Sequence, residues 1–194
     1  MKWMLNIATA AFIFMGIATA NADSAVRVDR PDGGHGSGVV MLDGRIITAA
    51  HVTNGISLVF VTTDQGTILN YKVARSFPES DVAILESLDT NVRIHGSHLS
   101  CTAPVVGEPI RASGNPLDLR NINFWGRVSG SEVNFFGRWK SITIVGVAGA
   151  AGMSGGPIFN DLGQIRGIVV AGPGAVAPFL IAVPSIEICR LLNE

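Results

Sequence analysis

Charge of a single sign is what this chain most plainly lacks. Fourteen Lys and Arg face fifteen Asp and Glu, a formal net charge of -1, and only 15% of the 194 residues are charged. No cationic face is implied, so nucleic acid is not an expected partner. Aromatic residues are sparse at 7%, with a single Tyr, and two cysteines are too few to build a zinc site on their own. Past the first two dozen residues no apolar run reaches the roughly 20 residues that span a bilayer. What the chain does have is apolar content, 47%, which excludes intrinsic disorder, and 23 glycines, which suit many short strands joined by tight turns.

The apolar stretch Ile7 to Ala20 follows Lys2 and ends in Ala20-Asn21-Ala22, a small-x-small pattern. Residues 1–22 are therefore expected to be a secretory signal peptide, leaving a mature chain from Asp23 that is secreted or periplasmic and has no stable membrane insertion. In an oxidising compartment Cys101 and Cys189 are the pair available for a disulfide; two buried free thiols are the alternative.

Short β-rich runs alternate with turn residues along the mature chain. The clearest are Gly38 to Leu42, Ile46 to Thr48, Leu58 to Thr62, Val82 to Leu85, Ile110 to Ala112, Ile142 to Val145 and Ile165 to Val170. About a dozen strands fit. Asp43-Gly44 reads as a two-residue hairpin turn. Helical periodicity appears once, from Ser185 to Asn193, with Ser185 as the expected cap, Glu187 in the first turn, and Ile188, Leu191 and Leu192 on one face. The polar stretch His95 to Gly107 makes a linker between two halves, 23–98 and 99–194, that together form one domain.

Ser154 lies in Gly152-Met153-Ser154-Gly155-Gly156-Pro157, where glycines let the backbone turn sharply and leave the hydroxyl accessible. A serine hydroxyl is a weak nucleophile unless a base takes its proton. The four histidines, His35, His51, His95 and His98, all precede it. That order excludes the nucleophile elbow of α/β-hydrolases, whose histidine follows the serine. The absence of long crossover helices excludes a subtilisin-like arrangement. A phosphate cradle fails as well, because no Lys-Ser/Thr follows the glycines.

Four segments carry a family resemblance: Gly36-Ser37-Gly38-Val39-Val40, Ile46-Ile47-Thr48-Ala49-Ala50-His51-Val52, Ser80-Asp81-Val82-Ala83-Ile84-Leu85 and Gly152-Met153-Ser154-Gly155-Gly156-Pro157. In their His, Asp, Ser order they resemble the signature segments of trypsin-like serine proteases. Gly114-Asn115-Pro116-Leu117 and Trp125-Gly126-Arg127-Val128-Ser129 are similar to segments of the bacterial HtrA/Deg-like branch. The resemblance implies an all-β fold of two six-stranded antiparallel barrels closed by a C-terminal helix, with the active site in the cleft between them. It implies His51 as general base, Asp81 as the carboxylate that orients it, Ser154 as nucleophile, and the backbone N–H groups of Gly152 and Ser154 as oxyanion donors. It also favours the Cys101–Cys189 bridge, since some members join linker and terminal helix at corresponding places. His35, His95 and His98 match none of these blocks and are expected to be structural.

Met153 stands where the digestive branch has an Asp that pairs with a freed N-terminus, so activation by such an ion pair is not expected. The specificity pocket is expected around Ala148, the strand Val170-Ala171-Gly172 and the segment near Phe179-Leu180. None of these is acidic, which favours a small or medium apolar side chain over Lys or Arg. Polypeptides are the implied substrates, and no metal or organic cofactor is required. Relatives in this branch usually carry PDZ domains after the protease domain, and none is expected within these residues. The rival reading is a weak or inactive peptide-binding module on the same fold.

Overall fold

The computed structural model describes residues 24–89, 93–135 and 139–194. The expected signal segment, residues 1–22, lies outside the described residues. Six strands form the first half: β1 (Ala25–Asp29), β2 (His35–Val40), β3 (Ile46–Thr48), β4 (Leu58–Thr62), β5 (Ile68–Phe77) and β6 (Val82–Ser87). The second half follows with β7 (Pro109–Gly114), β8 (Ile122–Phe135), β9 (Trp139–Val145), β10 (Gly149–Ala150), β11 (Pro157–Phe159), β12 (Ile165–Ala171), β13 (Val176–Ala177), β14 (Leu180–Pro184) and the helix α1 (Ser185–Leu192). Two closed antiparallel barrels result, in the orders β1-β2-β3-β6-β5-β4 and β11-β12-β14-β9-β8-β7. The short strands β10 and β13 pair separately beside the second barrel.

Side-chain alternation closes each barrel over its own interior. In β4, Val59 and Val61 are buried while Leu58 and Phe60 are exposed. In β12, Val169 joins the interior cluster of the second barrel with Ile110, Val128, Met153 and Leu180. Its neighbours Ile168 and Val170 point the other way, into a larger cluster that also holds Ile181, Val183 and the α1 residues Ile188 and Leu191. Ile188 and Leu191 thus bury the face of the helix that the sequence periodicity marks out. Among the described residues no helix is long and apolar enough to cross a membrane.

Two local expectations are corrected. The β2–β3 connection is a three-residue loop, Leu42-Asp43-Gly44, in which the Gly44 N–H donates to Met41 O (2.9 Å) and the Met41 N–H to Arg45 O (2.8 Å). Only Gly44 has positive φ, +85°, so the turn carries a glycine bulge instead of two left-handed residues. Asp43 instead accepts the Arg45 N–H with its side chain (3.0 Å). Ser185 does not cap α1: Pro184 occupies the cap position, and the Ser185 hydroxyl, fully buried, donates to Thr102 O (3.3 Å).

That hydroxyl is one of several ties between the linker and the second barrel. Cys101 and Cys189 are disulfide-bonded, with Cα atoms 5.7 Å apart. The Arg166 side chain, only 6% exposed, donates from Nε and Nη2 to Glu108 (2.7 and 3.0 Å) and from Nη1 to Ser100 Oγ, Thr102 Oγ1 and Thr102 O. Nη2 also reaches Ala103 O (2.9 Å). A guanidinium this enclosed is tolerable only because its N–H groups have acceptors and its charge has a partner. Replacing Glu108 by Ala should therefore cost about 3–5 kcal/mol in urea unfolding, and the double change Glu108→Leu, Arg166→Met should recover most of it. Reducing the disulfide, which spans a sequence separation of 88, should lower stability by up to about 4–5 kcal/mol by removing the cross-link from the unfolded chain. Thermal melts with and without reductant measure that loss.

Candidate active site

β3 runs through Ala49 into a single 3-10 turn, Ala50–Val52, that carries His51. The His51 Nδ1–H donates to Asp81 Oδ2 (2.8 Å) and the His51 backbone N–H to Asp81 Oδ1 (2.9 Å). A carboxylate only accepts, so Nδ1 holds a proton, which in a neutral ring leaves Nε2 as an acceptor. The Asp81 side chain is 6% exposed and that of His51 is 41% exposed, so the pair runs from a dry interior to an open cleft. Asp81 ends a tight turn just before β6 and adopts φ +54°, which an L-residue occupies at a cost of about 1–2 kcal/mol. Its backbone is held from both sides: the Asp81 N–H donates to Pro78 O (3.2 Å), and Asp81 O accepts the Ala50 N–H (3.2 Å).

Ser154 comes from the second barrel, on the turn between β10 and β11. Around it the N–H groups of Ala151, Met153, Gly155 and Gly156 are engaged by Ala175 O, Ala150 O, Val169 O and Met153 O. Among the described residues the N–H groups of Gly152 and Ser154 have no acceptor. Two carbonyl contacts fix this pattern. Ala151 O accepts the N–H of Leu117 (2.7 Å), itself at φ +55°, and Gly152 O accepts the Ser37 hydroxyl (2.8 Å). The C=O and N–H of a trans peptide point in opposite directions, so anchoring Ala151 O holds the Gly152 N–H facing away from Leu117.

Two glycines make these approaches possible. Gly152 has φ +96°, and a Cβ there would lie 2.4 Å from Asn115 O; Gly155 has φ +85°, and a Cβ there would lie 2.1 Å from Ser37 O. No other residue fits either place. Asn115, buried like Ser37, sends its N–H and Nδ2 to the Ser37 oxygen (2.9 and 3.1 Å). Ser37, Asn115 and Leu117 lie in segments that carry the family resemblance, but nothing local in the sequence marks them as individual contributors.

His51 and Ser154 line one open cleft of 390 Å³, shared with Arg30, Asp32, Gly34, His35 and Val52. Among the described residues no hydrogen bond joins the Ser154 hydroxyl to the imidazole. His35 was expected to be structural; it lines this cleft and donates from Nε2 to Asn115 O (3.1 Å), beneath Gly152. Arg30 donates to Val52 O (3.1 Å), at the end of the His51 turn, and its side-chain hydrogen bonds to Asp32 hold that carboxyl down at about 2. The Arg30–Asp32 pair therefore stays ionised throughout the neutral range.

On the other side of Ser154 lies a cavity of 220 Å³ lined by Ala150, Ala151, Met153, Val169, Ala171, Gly172, Gly174, Ala177 and Leu180. Of the expected pocket residues, Gly172, Ala171 and Leu180 are here. Val170 and Ala148 are not: strand alternation sends Val170 to the opposite face of β12, and Ala148 is exposed two residues short of the lining. Cys101 and Cys189 lie away from both clefts, in the linker and α1. Among the described residues no three His, Cys, Asp or Glu side chains converge as a metal site.

Comparison with known proteins agrees with this architecture. Residues 36–168 match the trypsin-like peptidase domain. The Synechocystis protein HhoB is 34% identical over 150 residues, covering 74% of this chain and 36% of HhoB. A Brucella suis protein named as a DegP-like periplasmic serine endoprotease is 28% identical over 181 residues, covering 87% of this chain and 35% of its own length. The chain thus spans about a third of the length of these curated relatives. Among solved structures, the HtrA-type protease AlgW with tripeptide superposes with a TM-score of 0.80 at 23% identity, over 89% of this chain and 60% of AlgW, a likeness of fold. A family match that spans more than half of the residues, on the double barrel expected of it, makes this chain a member of the trypsin-like peptidase domain family.

Proposed function

We propose that the chain is a secreted or periplasmic serine endopeptidase in which Ser154 is the nucleophile, His51 the general base and Asp81 the group that orients the imidazole. The observation that carries this reading is the buried Asp81 carboxylate, bonded through both oxygens to His51, on a cleft that His51 shares with Ser154. In the reaction Ser154 Oγ attacks the scissile carbonyl while His51 Nε2 takes its proton. The imidazolium then returns that proton to the leaving amine. Asp81 keeps the ring in the tautomer that presents a free Nε2 and stabilises the positive charge it acquires. The N–H groups of Gly152 and Ser154, which lack acceptors, would receive the oxyanion; losing one such donor typically costs about 10²–10³ in rate. The hydrogen bond from Ser154 Oγ to Nε2 that this step needs would form as substrate binds, since catalytic bonds of this kind often tighten only in the complex.

The 220 Å³ cavity beside Ser154 would take the side chain preceding the cut bond. None of its lining residues is charged, and Gly172 keeps it open only as far as Ala177, whose Cβ would lie 2.6 Å from a Cβ at 172. Small and medium apolar side chains fit such a site; Lys and Arg would enter it without a counter-charge.

Ser154→Ala should abolish casein hydrolysis with an unchanged thermal melt, and the unmodified protein should label at Ser154 with a fluorophosphonate. Undiminished hydrolysis by the variant would refute the proposal, and binding of casein peptides without turnover by the unmodified chain would favour the peptide-capture reading. In a peptide library, cuts after Ala, Val or Leu should outpace cuts after Lys or Arg by about 10²-fold. A preference for basic residues would disprove the pocket assignment while leaving the triad standing.

A further inference from the structure

Asp81 owes its position to more than the turn that carries it. The residue before it, Ser80, is 3% exposed and donates its hydroxyl to Glu187 Oε1 at 2.9 Å, a contact between residues 107 apart in sequence. Glu187 lies in the first turn of α1 and is 8% exposed. Its carboxylate is in turn gripped by Arg190, from Nη2 to Oε1 (2.7 Å) and from Nε to Oε2 (2.9 Å). A charged side chain is rarely buried so deeply, and this one spans from the helix packed on the second barrel to a turn of the first. The turn it meets holds a residue in a disfavoured conformation, and such conformations persist only where the surroundings over-determine them.

We infer that Glu187, acting through Ser80, is a positioning residue for the general base: it fixes the turn that holds Asp81, and thereby the direction of the His51 ring. The inference rests on the triad reading given above. α1 is then part of the active-site framework, held to the linker by Cys101–Cys189 and joined by a buried hydrogen bond to Ser80, the residue before Asp81. Without that bond the turn keeps its backbone ties, Ser80 N–H to Phe77 O (3.1 Å) and Asp81 N–H to Pro78 O (3.2 Å), but loses its buried anchor on α1, and the hold on Asp81 in the left-handed region loosens.

The test measures kcat and KM on a peptide substrate, with the active enzyme counted by fluorophosphonate labelling and all variants assayed well below their melting temperatures. Glu187→Ala should lower kcat by about 10- to 100-fold with KM within about twofold, the size expected when a reacting group is displaced by around an ångström. Ser80→Ala removes the same hydrogen bond from the other barrel and leaves the helix intact; it should reproduce the loss. Glu187→Gln keeps an acceptor for Ser80 and should restore most of the rate. In an Asp81→Asn background, itself expected to lose about 10⁴-fold, Glu187→Ala should cause little further loss. A wild-type kcat in Ser80→Ala or Glu187→Ala, with only the melting temperature lowered, would overturn the inference and leave the triad intact. Full activity in Asp81→Asn would instead remove the triad reading, and this inference with it.

Discussion

Ser37 joins the two barrels at the point where the cleft needs them joined. Its N–H donates to Ser154 O (2.7 Å) and its hydroxyl to Gly152 O (2.8 Å), while the hydroxyl oxygen accepts from the backbone and side chain of Asn115. Its own carbonyl accepts the Thr48 hydroxyl (2.6 Å), just ahead of the turn that carries His51. One fully buried residue of β2 thus ties the serine-bearing turn of the second barrel to the histidine-bearing strand of the first. Because each contact is short and enclosed, movement of either barrel against the other would leave buried polar groups unpaired.

The same joint explains where conformational strain collects. Of the described non-glycine residues at positive φ, Asp81, Leu117 and Asn121, the first two, one in each half, each bear on a group at the cleft. The Asp81 turn sets the direction of the imidazole. Leu117, by engaging Ala151 O, sets the direction of the Gly152 N–H. Strain of this kind is stable when several independent hydrogen bonds converge on the strained residue, as they do on Asp81. The glycines at 152 and 155 serve a complementary purpose, letting backbones approach more closely than any side chain would allow.

Much of this was legible in the sequence, and the boundary of what was not is physical. His51, Asp81 and Ser154 were singled out through the family resemblance of the segments that hold them; the structure pairs His51 with Asp81 and sets His51 and Ser154 on one cleft. The apolar face of α1 was visible as a local pattern: Ile188 and Leu191 follow the period of a helix. The β2–β3 loop was misjudged because Asp-Gly serves two turn geometries, and the Asp43 carboxylate bonding to the Arg45 N–H belongs to the one with a bulge. Ser185 resembled a cap but is engaged by Thr102, 83 residues away. Val170 falls on the opposite face of β12 from Val169 and Ala171, which line the cavity beside Ser154. The Ser37–Gly152, Asn115–Ser37 and Ser80–Glu187 bonds join residues 115, 78 and 107 apart, and no local pattern encodes such a partner.

The charge distribution of the site follows from the same geometry. Asp81 is a buried carboxylate whose two side-chain hydrogen bonds both come from His51, and among the described residues no Lys or Arg pairs with it. On the proposed mechanism the imidazole is neutral before the attack, and the negative charge is then met by dipoles alone. Burying such a charge is costly, and the cost diminishes at the moment the ring becomes positive. On the proposed mechanism this moment is the attack step, when the Ser154 proton arrives at Nε2. The enclosed carboxylate would then stabilise the protonated ring more than the neutral one, a difference in favour of the transition state and not of the ground state. A fixed cation beside Asp81 would repel the ring as it became positive and so offset part of that difference.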